Sequence, residues 1–185
     1  MTLFTSSKEK KRWIYALFVL IAILFTLVFG DQLVALQLDQ NIQASVFLFC
    51  MVLIGLMILV HALKTRPNKT KITIWLGITA VYTLLILRLD ASERSHLIEY
   101  SVLAVFIHEA LIERFNKKKN QVLKTAFLAF ALTFTIGVLD ECIQLFLPRR
   151  VFDPIDILFN TLAAFMAIGT SILILWIHRK LRKNL

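Results

Sequence analysis

The sequence has little charge, few cysteines and none of the short motifs that mark common soluble enzymes. Only 18% of its residues are charged, against about a quarter in a soluble domain, and 58% are hydrophobic. Its two cysteines, Cys50 and Cys142, lie in hydrophobic segments, where cysteine is usually a small buried side chain, so no disulfide framework is indicated. A glycine-rich phosphate loop and the CxxC, HExxH and GxSxG motifs are absent. The sequence therefore carries no signature of nucleotide binding, zinc proteolysis or serine hydrolysis.

The hydrophobic residues are concentrated in long blocks that are separated by short charged stretches, and the mean hydropathy is +0.76. This pattern is typical of a chain embedded in lipid, where a helix satisfies its own backbone hydrogen bonds. The sequence therefore predicts an all-α integral membrane bundle of about six transmembrane helices. They cover residues 13–29, 45–63, 72–87, 97–112, 122–139 and 155–177. The length of 185 residues leaves no room for a separate soluble catalytic domain.

Positive charge is distributed unevenly between the two sides of these predicted helices. The basic tail 1–12, the loops 64–71 and 113–124 and the C-terminal tail hold 17 of the 21 lysines and arginines. Nine of the twelve acidic residues lie on the other side. The positive-inside rule then places both termini in the cytoplasm. Basic inner loops facing anionic lipid also explain the net charge of +9, so no nucleic-acid partner is predicted.

Three groups of polar residues fall at the predicted outer ends of the last three helices. Within each group the spacing is three, four or seven residues, which places the members on one helix face. The groups are His96, Glu99 and Tyr100; then Asp140, Glu141 and Gln144; then Asp153, Asp156 and Asn160, preceded by Arg149 and Arg150. Ionisable groups cost about 2.5–3.5 kcal/mol each at mid-membrane and usually face the bundle interior. The three groups are therefore predicted to face one another in one shared site.

Each of these residues also has a purely structural interpretation. Arg149 or Arg150 can pair with an acidic residue and fix a loop, and His96 can be a hydrogen-bond partner between helices. Asp153 followed by Pro154 is typical of the cap and first residue of a helix. Placing so many ionisable and polar groups together within membrane helices is energetically costly, which favours a function for the cluster as a whole. His108, Glu109 and Glu113, near the other end, are interpreted as interfacial or helix-pairing residues, and no functional role is assigned to them.

The order and spacing of the polar residues resemble the VanZ-like family of bacterial membrane proteins. The matching pattern is Glu93-x-x-His96-x-x-x-Tyr100, then Asp140-Glu141-x-x-Gln144, then Pro148-x-Arg150-x-x-x-x-x-Asp156-x-x-x-Asn160. It lies within residues 88–177, and the resemblance implies that residues 1–185 form one VanZ-like transmembrane domain. Arg149 and Ala163 stand at positions where the family often has glycine. Because alanine is also small, helix packing at Ala163 is expected to be preserved.

The resemblance implies a place in the bacterial cytoplasmic membrane and a contribution to resistance against teicoplanin-like glycopeptides. The predicted activity is recognition or handling of an amphiphile at the outer face, either a membrane lipid, a lipid-linked cell-wall precursor or a lipoglycopeptide. In this hypothesis the carboxylates set the electric field, Arg150 holds an anion, and Gln144 and Asn160 fix geometry by hydrogen bonds. The predicted ligand-binding residues are His96, Glu99, Tyr100, Asp140, Glu141, Gln144, Arg150, Asp156 and Asn160, with Glu93, Arg149 and Asp153 as outer neighbours.

Two other functions remain open from the sequence. A membrane-embedded hydrolase or transferase would use Asp140 or Glu141 as a general base, His96 as an acid or base and Arg150 as an anion stabiliser. Histidine and carboxylates are adequate metal ligands, but no spacing here is diagnostic, so neither a metal nor a cofactor is predicted. In a scaffold subunit, the cluster would only fix helix packing. The sequence defines neither the oligomeric state nor the role of the first two helices and residues 31–44.

Overall fold

The protein is all-helical in the computed structural model, which describes residues 4–35, 69–89, 91–115, 121–147 and 150–183. These ranges contain five α-helices and no strand, which confirms the predicted all-α class. The helices are α1 (Ser7–Ala35), α2 (Lys69–Arg88), α3 (Ala91–Arg114), α4 (Val122–Gln144) and α5 (Pro154–Lys183). The chain divides into two compact units, Met1–Val28 with Arg88–Leu185, and Phe29–Leu87. The polar residues of interest all belong to the first unit.

Four stretches are long and apolar enough to cross a membrane, namely Ser7–Phe29, Glu93–Arg114, Val122–Gln144 and Pro154–Ile177. They correspond to the first, fourth, fifth and sixth predicted helices. The third predicted helix is present as a shorter apolar stretch, Ile72–Arg88 in α2. The second, residues 45–63, lies outside the described residues. The fourth predicted helix begins earlier than expected, because residues before Leu97 join α3.

The first unit buries small and polar side chains and exposes large hydrophobic ones. Phe18, Phe127 and Phe165 are each about 70% exposed, at 72%, 71% and 68%. The buried face of α3, α4 and α5 is rich in alanine, including Ala104, Ala129, Ala163, Ala164 and Ala167. A soluble protein shows the opposite arrangement. Small residues allow close helix contact in lipid, so this arrangement is that of a membrane-embedded bundle.

Contacts among α3, α4 and α5 form the core of the first unit. His96 near the start of α3 contacts Asn160 near the start of α5, and His108 lies 3.1 Å from Ser171 further along both helices, so α3 and α5 run parallel. The end of α4 meets the start of α3, where Tyr100 contacts Asp140, so α4 runs antiparallel to both. The starts of α3 and α5 and the end of α4 therefore lie together at what is called here the acidic end.

The first part of α1 lies alongside α3 and runs antiparallel to it. Four side-chain contacts show this order, since residue numbers rise along α1 while they fall along α3. The contacts are Glu9–Arg114, Arg12–Glu109, Tyr15–Phe106 and Thr26–Glu99. The start of α1 therefore lies at the end of the bundle away from the acidic end, called here the opposite end, together with the ends of α3 and α5.

Candidate functional site

Polar residues from α3, α4, α5 and the segment before α5 are brought together at the acidic end. The structure places all nine predicted ligand-binding residues there, and this group is called the polar cluster below. Its members are His96, Glu99, Tyr100, Asp140, Glu141, Gln144, Arg150, Asp156 and Asn160. Tyr100, Asp140, Glu141, Gln144 and Asn160 are at most 4% exposed. The three predicted polar helix faces therefore do meet at one place, while binding of a ligand by these residues stays a prediction.

His96 connects α3 to α5 through both of its ring nitrogens. Its Nδ1 lies 3.1 Å from Oδ1 of Asn160, and its Nε2 lies 3.4 Å from Oδ2 of Asp156. Both partner atoms are hydrogen-bond acceptors. A neutral imidazole has one N–H, so it can donate to one of these partners, whereas an imidazolium can donate to both. The histidine therefore joins the two helices.

Tyr100 and Asp140 form a buried contact between α3 and α4. The hydroxyl of Tyr100, a fully buried side chain, donates a hydrogen bond of 3.0 Å to Oδ2 of Asp140. The other carboxylate oxygen of Asp140, Oδ1, is buried and has no hydrogen-bond partner among the described residues. The Nδ2 atom of Asn160 is likewise buried and has no hydrogen-bond partner among the described residues. Buried polar atoms are nearly always satisfied, so each of these two atoms is able to bond an additional partner.

Glu141 joins the end of α4 to the start of α5. Its side chain is fully buried and accepts a 2.7 Å hydrogen bond from Nε2 of Gln144 and a 3.3 Å bond from the backbone N–H of Asp153. Asp153 itself accepts a 2.8 Å bond from the backbone N–H of Ile155, and α5 begins at Pro154. The predicted cap at Asp153 with proline as the first helical residue is therefore confirmed.

The polar cluster contains more acidic than basic groups. The charges of Asp140 and Asp156 both act on the carboxylate of Glu141, and Glu93 also acts on Asp156. The charge of Arg150 attracts both Asp140 and Asp156. Arg149 lies outside the described residues. A buried carboxylate is stable only when a cation, a proton or several hydrogen bonds compensate it. The cluster is therefore suited to bind a cation, or a ligand that brings one.

Glu99 occupies a different position from its predicted neighbours, because it faces α1. Its Oε1 lies 3.4 Å from the hydroxyl of Thr26. The charges of His96 and Asp140 still act on it, so Glu99 lies at the edge of the cluster. Sequence reasoning missed Thr26, since no spacing within the first helix points to α3.

Gly137 is a second residue that the sequence reasoning missed. A Cβ atom at this position would lie 3.1 Å from Cβ of Asn160 and 3.3 Å from Cε1 of Tyr100. Glycine therefore lets α4 approach the two buried side chains that hold His96 and Asp140. A signal was available in the sequence, because Gly137 lies three residues before Asp140 and so shares its helix face.

Three residues of the cluster offer atoms that could coordinate a metal. One ligand atom each from His96, Asp140 and Glu141 lies within 4.8 Å of the others. Imidazole nitrogen and carboxylate oxygen are common ligands of divalent metal ions. Their sequence spacing could not be diagnostic, because the ligands come from two different helices.

A helical membrane protein with a buried acidic cluster at one end is the class that the fold and the site define. The model of the VanZ/LLP1 family matches residues 6–176, which is nearly the whole chain. The protein belongs to this family. The predicted resemblance is confirmed, and the match extends well beyond residues 88–177 to include α1. No curated protein and no solved structure matches the chain.

Proposed function

We propose that this protein binds the polar headgroup of an amphiphile at the outer face of the bacterial cytoplasmic membrane, and that it thereby contributes to resistance against teicoplanin-like glycopeptides. The ligand is a membrane lipid, a lipid-linked cell-wall precursor or a lipoglycopeptide. The observation that carries this proposal is the convergence of three buried polar faces at one end of otherwise apolar helices. Membership of the VanZ/LLP1 family supports it.

The proposal includes a multi-pass topology with six crossings and both termini in the cytoplasm. Because α1 is antiparallel to α3, an even number of crossings must separate them if both span the membrane. In this proposal α2 is one of these crossings, and the other is the second predicted helix, residues 45–63, which lies outside the described residues. Basic segments flank the start of α1 and the ends of α3 and α5. By the positive-inside rule, these helix ends then face the cytoplasm. The acidic end faces outward.

The surroundings of the polar cluster favour an amphiphilic ligand. Large apolar side chains are strongly exposed in the segment between α4 and α5, which also carries Arg150, including Phe146 at 85% and Val151 at 82%. An acyl chain can lie along such a surface while its headgroup reaches the cluster. Arg150, whose charge already acts on Asp140 and Asp156, carries a planar guanidinium that suits phosphate or carboxylate oxygens.

The two alternative functions have less support. Oδ1 of Asp140 and Nδ2 of Asn160 have no hydrogen-bond partner in the described part of the chain, so both atoms can take part in a contact with a ligand. A hydrolase with a covalent intermediate would need an activated nucleophile. Ser95 lies next to His96 in the sequence, but it is not part of a nucleophile-elbow motif. Ligand binding is therefore the function proposed.

The test is antibiotic sensitivity in a glycopeptide-sensitive bacterium that expresses the protein at matched membrane abundance. We expect the wild type to protect against teicoplanin, and both Asp140→Asn and Arg150→Gln to lose most of that protection. Glu109→Gln, which removes an acidic group at the opposite end, is the matched control and should protect as well as the wild type. Full protection by both cluster variants would overturn the proposed site. Absence of protection by the wild type would overturn the proposed role in resistance.

A further inference from the structure

Three side chains of the polar cluster are arranged as metal ligands would be before an ion is bound. The ligand atoms of His96, Asp140 and Glu141 lie within 4.8 Å of one another. Ligands about 2.0–2.2 Å from a metal ion are about 3–4 Å apart, so small side-chain rotations would bring these atoms to bonding distance. Asp140 and Glu141 are 4% and 0% exposed. The two carboxylates are thus held together in a region that excludes water.

A second observation points independently to a cation at this place. Oδ1 of Asp140 is buried and accepts no hydrogen bond from any described residue, although Oδ2 of the same carboxylate is bonded to Tyr100. The neighbouring carboxylates of Glu141 and Asp156 add negative charge at the same place. A cation at this point would fill the free position on Asp140 and compensate the excess charge.

Each of the three side chains is also held by a neighbour that leaves it able to coordinate. Nδ1 of His96 lies 3.1 Å from the amide oxygen of Asn160, which can hold a proton on Nδ1, and a bound ion would then take the place of Asp156 as the partner of Nε2. Tyr100 donates to Asp140, and Gln144 donates to Glu141 at 2.7 Å. Metal ligands in proteins are typically oriented by outer hydrogen bonds of this kind.

We propose that His96, Asp140 and Glu141 bind one divalent transition-metal ion of the Zn²⁺ or Mn²⁺ type. The mixed set of one imidazole and two carboxylates suits these ions better than Mg²⁺ or Ca²⁺, which prefer oxygen alone. Three protein ligands leave at least one coordination position open. An anionic oxygen of the headgroup can take that position, which explains how an acidic cluster would accept an anion. This last step rests on the proposed function, whereas the metal site itself does not.

The experiment uses the purified full-length protein in detergent, with any affinity tag removed and with bound metal stripped by a chelator. Zn²⁺ and Mn²⁺ are titrated separately by calorimetry, and bound metal is counted by elemental analysis after gel filtration. We expect one equivalent in the wild type and loss of binding in His96→Gln and Glu141→Gln. Asn160→Ala should bind about 10–100-fold more weakly, because it removes only the outer support of His96. Arg150→Gln and Glu109→Gln, which remove no ligand, should still bind one equivalent.

A second measurement keeps the inference testable if a ligand variant fails to fold. An ion that binds only the folded protein raises its unfolding temperature, so the stripped wild type should gain thermal stability when Zn²⁺ or Mn²⁺ is added. Absence of binding by the wild type, or equal binding by wild type, His96→Gln and Glu141→Gln, overturns the metal site. A wild type that protects cells but binds no ion overturns the metal site and leaves the proposed function intact. Arg150→Gln that keeps the ion but loses protection supports both.

Discussion

The two ends of the bundle both contain charged groups, but they balance them differently. At the opposite end, Glu109 lies 2.7 Å from Arg12, and Glu9 lies 3.5 Å from Arg114, so each of these acids has an arginine. At the acidic end, the carboxylates of Asp140, Glu141 and Asp156 act on one another. Pairs suffice to hold helices together, whereas an excess of buried charge of one sign costs stability. The comparison teaches that the acids at the opposite end are paired one to one with arginines, whereas the acids of the polar cluster outnumber its basic groups.

The largest structural effect is expected for Gly137→Ala, which tests how closely the acidic end is packed. The new Cβ would lie 3.1 Å from Cβ of Asn160, and Asn160 could move away only by disturbing its contact with His96. Overpacking of this kind costs about 1–3 kcal/mol of unfolding free energy. Thermal unfolding in detergent should show the loss, and teicoplanin protection should fall with it.

Gly169→Ala is the matched control for this substitution, because nothing lies within 4 Å of a Cβ added there. Its stability should be unchanged, or higher by up to about 1 kcal/mol through better helix propensity. If Gly137→Ala proved as stable as Gly169→Ala, the close approach of α4 to Asn160 and Tyr100 would not matter for the fold.

A smaller effect is expected for Glu9→Ala at the opposite end. Glu9 accepts hydrogen bonds from the backbone N–H and the hydroxyl of Thr5, at 2.7 and 2.8 Å, and its own N–H donates to the hydroxyl of Ser6. These bonds cap the start of α1, so their loss should cost about 0.5–2 kcal/mol, measured by thermal unfolding.

Protection should be retained in Glu9→Ala when the membrane abundance is matched, since no residue of the polar cluster is touched. Glu9→Gln, which keeps one acceptor oxygen, should recover part of the stability. Asp140→Asn should behave in the reverse manner: its protection should be lost even when its membrane abundance equals that of the wild type, because it changes a residue of the polar cluster itself. A large loss of protection in Glu9→Ala would remove the distinction between the two ends.

The sequence predicts most of what depends on local spacing. Hydropathy identifies four of the described helices as long apolar spans, and the Asp153–Pro154 pair marks the start of α5. Residue spacing also places Asp140 and Glu141 on the buried side of α4. The early start of α3 is missed by hydropathy, because the turn before Leu97 is polar.

Features that depend on the approach of different helices could not be predicted from the sequence. The contact of Glu99 with Thr26 joins residues that are 73 positions apart. The candidate metal ligands belong to α3 and α4, so their separation in the chain carries no signal. The lack of a side chain at Gly137 matters for packing only because Asn160 and Tyr100 lie next to it. Each of these features requires the relative placement of the helices, which hydrophobic periodicity does not define.

The smallest effect is expected for the ion pair between Arg12 and Glu109, and it gives the sharpest comparison of the two ends. Both side chains are partly exposed, at 40% and 36%, so the coupling in a double-mutant cycle of Arg12→Gln and Glu109→Gln should be about 0–1 kcal/mol. The corresponding cycle of Tyr100→Phe and Asp140→Asn joins two buried groups and should give a larger value, within the range of about 0.5–3 kcal/mol found for contacting residues. Both cycles are measured by thermal unfolding in the same detergent. Equal coupling energies at the two ends would mean that burial does not strengthen the polar contacts of the acidic end. The carboxylates of the polar cluster would then have to be compensated by solvent.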